Sequence, residues 1–267
     1  MNKRWRGVLA DIERVATAAG RGAVGSYSIE GTRLHERALA AGVELHEAVA
    51  SERFIASDEP RVRRLLDRLE AADCCLHVVA ADVVAGLTDG RGIGEIVGLV
   101  RIPRPPQLET LLSDQAGRVP LLLVAVGIED PGNIGALVRT ALAAGAAGFI
   151  GISPCDPFHP RAVRTSMGSL FRLPVILGAG IESVLERLRA LGVMSVGAVA
   201  SGGTPLPALS HAGQAVAVLM GSESAGLPEP LRRRVDSLVT IPMGAAIDSY
   251  SVNAAAAVIL YELRRSG

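Results

Sequence analysis

Apolar residues recur at helical spacing from the start of the chain. Trp5, Val8, Leu9, Ile12 and Val15 fall at i, i+3, i+4, i+7 and i+10, which predicts an amphipathic helix. Short extended runs then alternate with helical ones. Residues 27–29 read as extended, 32–41 as a helix stopped by Gly42, and 43–49 as extended. Residues 60–71 read as an arginine-rich amphipathic helix, and 75–79 and 95–102 as extended. Pro103, Pro105 and Pro106 break the pattern, and the polar stretch 113–118 follows, so a linker is expected over 106–118. The second half opens with residues 119–128, rich in Val and Leu and without alternation, as expected of a strand buried on both faces of a parallel sheet. Similar runs stand at 147–152, 193–200, 215–220 and 237–241, with helical stretches between them. Alternating strands and helices predict an α/β fold with a mostly parallel sheet flanked by helices. The expected division is a domain over 1–105, the linker, and a second domain over 119–267.

Composition agrees with two packed domains. The chain has 267 residues, 49% of them hydrophobic, enough for a sizeable core and too apolar for a disordered chain. The longest apolar runs are about half of the ~20 residues that a membrane span needs, so no membrane association is expected. The basic start lacks an apolar core and a small-residue cleavage site, so no secretory signal is expected. Cys74, Cys75 and Cys155 are an odd number, two of them adjacent, which suggests a reducing compartment. The five histidines show no metal-ligand spacing, and no metal is expected. Charge complicates any nucleic-acid role. Lys+Arg and Asp+Glu are both 27, divided as 15 of each sign before residue 106 and 12 of each after it. Phosphate-binding charge must therefore be gathered into local patches.

Four stretches carry candidate chemistry. Asp130-Pro131-Gly132-Asn133-Ile134-Gly135 follows a buried strand and opens a helix on which Gly135 and Arg139 share one face, four residues apart. Asn133 can cap that helix or contact a ligand. Gly221-Ser222-Glu223-Ser224-Ala225-Gly226 follows another buried strand, and its one carboxylate can meet a ligand or cap a backbone donor. Ser249 and Ser251 precede a helix with the apolar stripe Val252, Ala255, Ala256, Ile259, Leu260 and Leu263, and capping is open to both. Arg161, Arg164 and Arg172 stand among hydroxyls and Gly168, a possible phosphate patch or an ordinary surface helix. Neither the dinucleotide fingerprint nor the P-loop is present.

The order Asn133-x-Gly135-x-x-x-Arg139, Gly221-Ser222-Glu223-x-x-Gly226-Leu227, then Ile241-Pro242-Met243 with Ser249-Tyr250-Ser251-Val252, resembles the three motifs of the SpoU (TrmH) ribose methyltransferases of the SPOUT superfamily. Pro160, Arg164, Ser166 and Gly168 match a further stretch of that family, and the resemblance covers about 119–265. Residues 17–102, with Ile29-Glu30-Gly31 and Gly98-Leu99, more weakly resemble its smaller RNA substrate-binding domain. The resemblance implies S-adenosylmethionine-dependent methylation of a ribose 2′-hydroxyl in ribosomal or transfer RNA. It also implies a C-terminal trefoil knot, a homodimer through the C-terminal domain and a cytoplasmic protein. By position, Asn133, Arg139, Glu223 and Ser249 would form the catalytic group. Gly221, Ile241, Tyr250 and Ser201 would line the cofactor pocket, and Arg161, Arg164 and Ser251 would meet RNA. Two positions depart from the pattern: leucine is usual at Tyr250 and asparagine at Ser251. Asn253 lies about 200° round a helix from Ser251. It is expected to be secondary, with Ser249 and Ser251 ordering the loop. The competing class is a non-catalytic RNA-binding or ribosome-associated factor on the same fold, against which the intact Gly221 and Arg139 motifs argue.

Overall fold

The computed structural model describes residues 4–88, 94–113, 117–178, 180–244 and 248–266. Residues 1–3 of the basic start, residues 114–116 of the expected linker and residues 245–247 of the third motif stretch lie outside them. The described chain forms two compact units, one of residues 1–104 with 158–171, the other of 105–157 with 172–267.

The first unit is built on four strands, β1 (Ser26–Glu30), β2 (Leu45–Ser51), β3 (Cys75–Val79) and β4 (Ile96–Arg101), in the order β1-β4-β2-β3. β4 is antiparallel to both neighbours, and β2 and β3 are parallel. The predicted N-terminal helix is present as Arg4–Arg14, and its Val8 and Ile12 pack with Val15, Val49, Val97 and Leu99. The helices Thr32–Ala41 and Pro60–Ala71 have the predicted bounds. Gly42, at φ 68°, takes up the carbonyls of Ala38 and Leu39 at the end of the first, and Pro60 stands in the first turn of the second. Residues 158–171 belong to this unit through their own contacts. Phe158 packs against Tyr27 in a tilted pair with ring centroids 5.2 Å apart, and Arg164 pairs with Glu30 at 3.2 Å.

The second unit holds a sheet of seven strands, β5 (Leu121–Val126), β6 (Gly148–Ile152), β7 (Val175–Gly178), β8 (Met194–Ala198), β9 (Thr204–Pro205), β10 (Val216–Met220) and β11 (Ser237–Thr240). Their order is β7-β6-β5-β10-β8-β11-β9, and every pair is parallel. β5 and β10 are buried along their whole length, which accounts for their unbroken apolar runs. Leu122, Val124 and Val126 of β5 share a core with Leu185 and Leu188 of the helix Ile181–Ala190. The helix Pro131–Ala143 packs beside the last helix, Val252–Ser266. Arg264 ties the two ends together, donating to the carbonyls of Val119 (2.8 Å), Gly145 (2.6 Å) and Ala144 (3.3 Å). The stretch marked by its prolines as a linker contains the helix Leu108–Ser113, with Leu108 and Leu111 buried in the same core. The prolines stop before the i, i+3 spacing of those leucines begins, and that spacing decides their local structure. β7 and β9 are not marked by the apolar pattern; β9 has only two residues, both exposed.

Candidate active site

The helix that follows β5 is capped by Asp130, whose Oδ1 accepts the Asn133 N–H at 2.9 Å, and Pro131 fits the first turn, where its missing N–H costs nothing. With the cap supplied by Asp130, the Asn133 amide is left to reach outward. Its Nδ2 donates to Glu223 Oε1, and its Oδ1 accepts from Asn253 Nδ2 at 3.2 Å. Residues 90 and 120 positions away along the chain thus meet at one side chain.

Glu223 stands in the loop after β10. Gly221 opens that loop where no side chain fits, because a Cβ there would lie 2.2 Å from the Gly226 carbonyl carbon and 2.3 Å from the Leu227 nitrogen. Gly226, at φ 65°, bonds back to the Ser222 carbonyl at 2.8 Å, and Ser222 Oγ accepts the Ala225 N–H at 3.2 Å. Arg232 Nε donates to the Leu227 carbonyl at 2.7 Å and holds the far end of the loop. The loop therefore closes on its own backbone, and Glu223 faces Asn133.

The third stretch supplies the mouth of the last helix. Ser251 is its cap: Oγ accepts the Ala254 N–H at 3.4 Å and its carbonyl accepts that of Ala255 at 2.9 Å. Between these segments lies a cavity of about 500 Å³ at the C-terminal ends of β8, β10 and β11. Gly221, Glu223, Ile241, Ser249, Tyr250 and Ser251 all line it, with Tyr250 45% exposed. Ligands of open parallel sheets bind at this end of the strands.

Ser201 departs from its expected place. It is exposed and does not line the cavity, and Ala198, Val199 and Ala200 form that wall instead. The physical reason is that the chain has already left β8 by residue 199 and turns outward through the loop to β9. Arg139 is exposed on the helix whose opposite face buries Leu137, Val138 and Ala141, and makes no hydrogen bond or ion pair among the described residues. Arg161 and Arg164 fall in the first unit, where the Arg164 guanidinium meets the buried Glu30.

Asn253, expected to be secondary, is joined to Asn133. Nothing local in the sequence marks this, since the partner lies on another helix. Met243, part of the third motif but given no role there, also lines the cavity, as does Asp248, which the motif spacing did not mark. In the first unit Glu47, Cys75 and His77 bring one potential ligand atom each within 4.8 Å of one another, and His77 Nε2 lies 2.7 Å from Glu47 Oε2. Histidine spacing could not show that group, because the parallel register of β2 and β3 assembles it. None of the three cysteines forms a disulfide; burial pushes Cys74 and Cys155 up to about 12, so both stay protonated and unreactive at neutral pH.

A parallel α/β unit with a ligand-sized cavity at its strand ends, lined by a carboxylate that is hydrogen-bonded to an amide of a neighbouring helix, defines a cofactor-binding enzyme domain. Residues 120–261 match the model of the SpoU rRNA Methylase family, so the chain belongs to that family of S-adenosylmethionine-dependent RNA ribose methyltransferases. A 23S rRNA (guanosine(2553)-2′-O)-methyltransferase of Bacillus subtilis is 29% identical over 256 residues, covering 95% of this chain and 94% of that protein. A 23S rRNA (adenosine(1067)-2′-O)-methyltransferase of Streptomyces azureus is 30% identical and covers 84% and 80%. Among solved structures, AviRb of Streptomyces viridochromogenes, a SpoU methyltransferase in complex with the cofactor AdoMet, superposes with a TM-score of 0.84 at 26% identity over 99% of this chain and 98% of that one.

Proposed function

We propose that this protein transfers the methyl group of S-adenosylmethionine to a ribose 2′-hydroxyl of ribosomal RNA. The observation that carries this is the convergence of Asn133, Glu223 and the cavity-lining residues Gly221, Ile241, Ser249 and Tyr250 from three separate motif stretches. The residues fit the cofactor. The cavity of about 500 Å³ lies within the ~300–1,000 Å³ usual for small-molecule sites, and Gly221 leaves the backbone of its rim bare.

When bound, the cofactor supplies an electrophilic methyl on a sulfonium sulfur. The rest falls to the protein. Gly221, Ile241 and Tyr250 would hold the cofactor. Glu223 fixes the Asn133 amide, and together with Ser249 they orient the ribose for an in-line approach. The Arg139 guanidinium offers hydrogen-bond donors and no acceptor, so its part is to stabilise charge that develops on the attacking oxygen. Arg161, Arg164 and the first unit would recognise the RNA, with Ser251 at the rim of the pocket. The relatives' names favour ribosomal over transfer RNA.

The same reading includes a C-terminal trefoil knot, supported by the family resemblance and by a strand order in which β10 lies between β5 and β8. It includes a homodimer through the last helix, whose outer side exposes Ala257, Val258 and Tyr261. It also includes a cytoplasmic place of action. Among the described residues no helix is long and apolar enough to cross a membrane. Calorimetry with S-adenosylmethionine separates the enzyme from a non-catalytic RNA-binding factor. Micromolar binding is expected for the enzyme, and none for the factor.

A further inference from the structure

We propose that Asn253 is a positioning residue for methyl transfer: it supplies, from inside the last helix, the amide that sets the orientation of Asn133. The inference rests on the role of Asn133 and Glu223 proposed above.

The direction of the chain of contacts follows from chemistry. An ionised carboxylate only accepts hydrogen bonds. Glu223 Oε1 therefore requires Asn133 to turn its NH2 toward it, as the structure has it. That leaves Asn133 Oδ1 on the other side, where only a donor can satisfy it. Asn253 Nδ2 is that donor, at 3.2 Å. A rotation of Asn133 by half a turn would set its carbonyl against the carboxylate and its NH2 against the Asn253 NH2, so the two neighbours jointly exclude the flipped amide. Ser251, at the position where the resemblance places an asparagine, is committed elsewhere: its Oγ accepts the Ala254 N–H at the mouth of the helix.

Packing gives Asn253 no other reason to be polar. It is half-buried in a helix that reads Val252-Asn253-Ala254-Ala255-Ala256-Ala257-Val258, where an alanine or valine would serve packing. Its own Oδ1 is buried with no hydrogen-bond partner among the described residues, a cost that an apolar residue would avoid. The bond to Asn133 is what the amide returns for that cost.

The test uses the full-length protein and four variants: Asn253→Ala, the isosteric Asn253→Asp, Asn133→Ala and the double variant Asn133→Ala/Asn253→Ala. Asn253→Asp keeps the shape and removes the donor, so it remains informative where the alanine variant unfolds. Both single Asn253 variants should lower kcat at least 30-fold, with KM for RNA and the calorimetric Kd for S-adenosylmethionine within threefold of wild type. The double variant should be no slower than Asn133→Ala, because the two residues act through one contact. A second readout needs no turnover. The chain has only three asparagines, Asn2, Asn133 and Asn253, so asparagine-selective nitrogen-15 labelling resolves the Asn133 side-chain amide. Its proton exchange in the cofactor-free protein should be at least threefold faster in Asn253→Asp. Wild-type kcat in Asn253→Asp beside an inactive Asn133→Ala would overturn the inference while leaving the catalytic group standing. Activity retained in Asn133→Ala would overturn the catalytic group and the inference with it.

Discussion

Replacing Gly221 with alanine adds one methyl group at the place where β10 hands the chain to the pocket loop. The structure sets the size of the disturbance. The new Cβ would stand 2.2 Å from the Gly226 carbonyl carbon, 2.3 Å from the Leu227 nitrogen and 2.4 Å from the Gly226 oxygen, all backbone atoms that no rotamer change can move. Carbon atoms pack at ~3.5–4 Å, so strand end and loop must part by about 1.3 Å. Overpacking of this kind costs about 1–3 kcal/mol, a fraction of the ~5–15 kcal/mol of a typical domain, so the sheet should survive. The pocket should not. A displacement of about 1 Å in groups that position a reaction costs on the order of 100-fold in rate. The expected outcome for Gly221→Ala is a folded protein by circular dichroism, a Kd for S-adenosylmethionine raised at least tenfold by calorimetry, and turnover lowered by about two orders of magnitude. Cofactor affinity within twofold of wild type would refute the claim that this glycine is required by the contact with 226–227.

Three further outcomes follow from other parts of the molecule. Arg139→Ala should keep the melting temperature and the cofactor Kd while abolishing methyl transfer, since the side chain is exposed and outside the cavity lining; activity within threefold of wild type would remove Arg139 from the catalytic group. Arg264→Ala takes one cation from three backbone carbonyls and should cost about 2–4 kcal/mol, or about 5–10 °C in Tm; an unchanged Tm would mean that those contacts do not hold in solution. His35 is buried, with Nδ1 on the Gly31 carbonyl at 2.8 Å and Nε2 without a hydrogen-bond partner among the described residues, and burial lowers it from 6.5 to about 4. The unfolded chain then takes up this proton first as the pH falls, so about 3 kcal/mol of stability present above pH 6.5 is lost on the way down to about pH 4. His35→Gln, which cannot ionise, should flatten that part of the pH dependence in urea unfolding, and an unchanged slope would contradict it.

What the sequence made legible has a physical pattern. The helices Thr32–Ala41 and Pro60–Ala71 were readable to their ends because a glycine and a proline punctuate them. The runs around β5, β6 and β10 were readable because strands buried along their whole length need unbroken apolar side chains, and those around β8 and β11 were readable although these strands are buried only in part. β9 has two exposed residues and no such need. The helix at Leu108 was hidden by the three prolines before it. In the site, motif spacing brought Asn133, Glu223, Gly221, Ile241, Ser249, Tyr250 and Ser251 to the same place, because each sits where a strand or helix must begin or end. It did not exclude Ser201, whose distance from the cavity depends on how a loop turns after its strand. Nor did it show Asn253, because a hydrogen bond spanning 120 positions leaves no local mark.

The central claim, ribose methylation of ribosomal RNA by this chain, is tested most directly by nucleoside mass spectrometry. Ribosomal and transfer RNA fractions are incubated separately with the purified protein and S-adenosylmethionine carrying a deuterated methyl group. The account predicts a labelled 2′-O-methylribonucleoside from ribosomal RNA, lost when Asn133→Ala or Glu223→Ala replaces the wild-type protein. A label on a base instead of the ribose, or no label from either fraction with a protein that binds the cofactor, would contradict it.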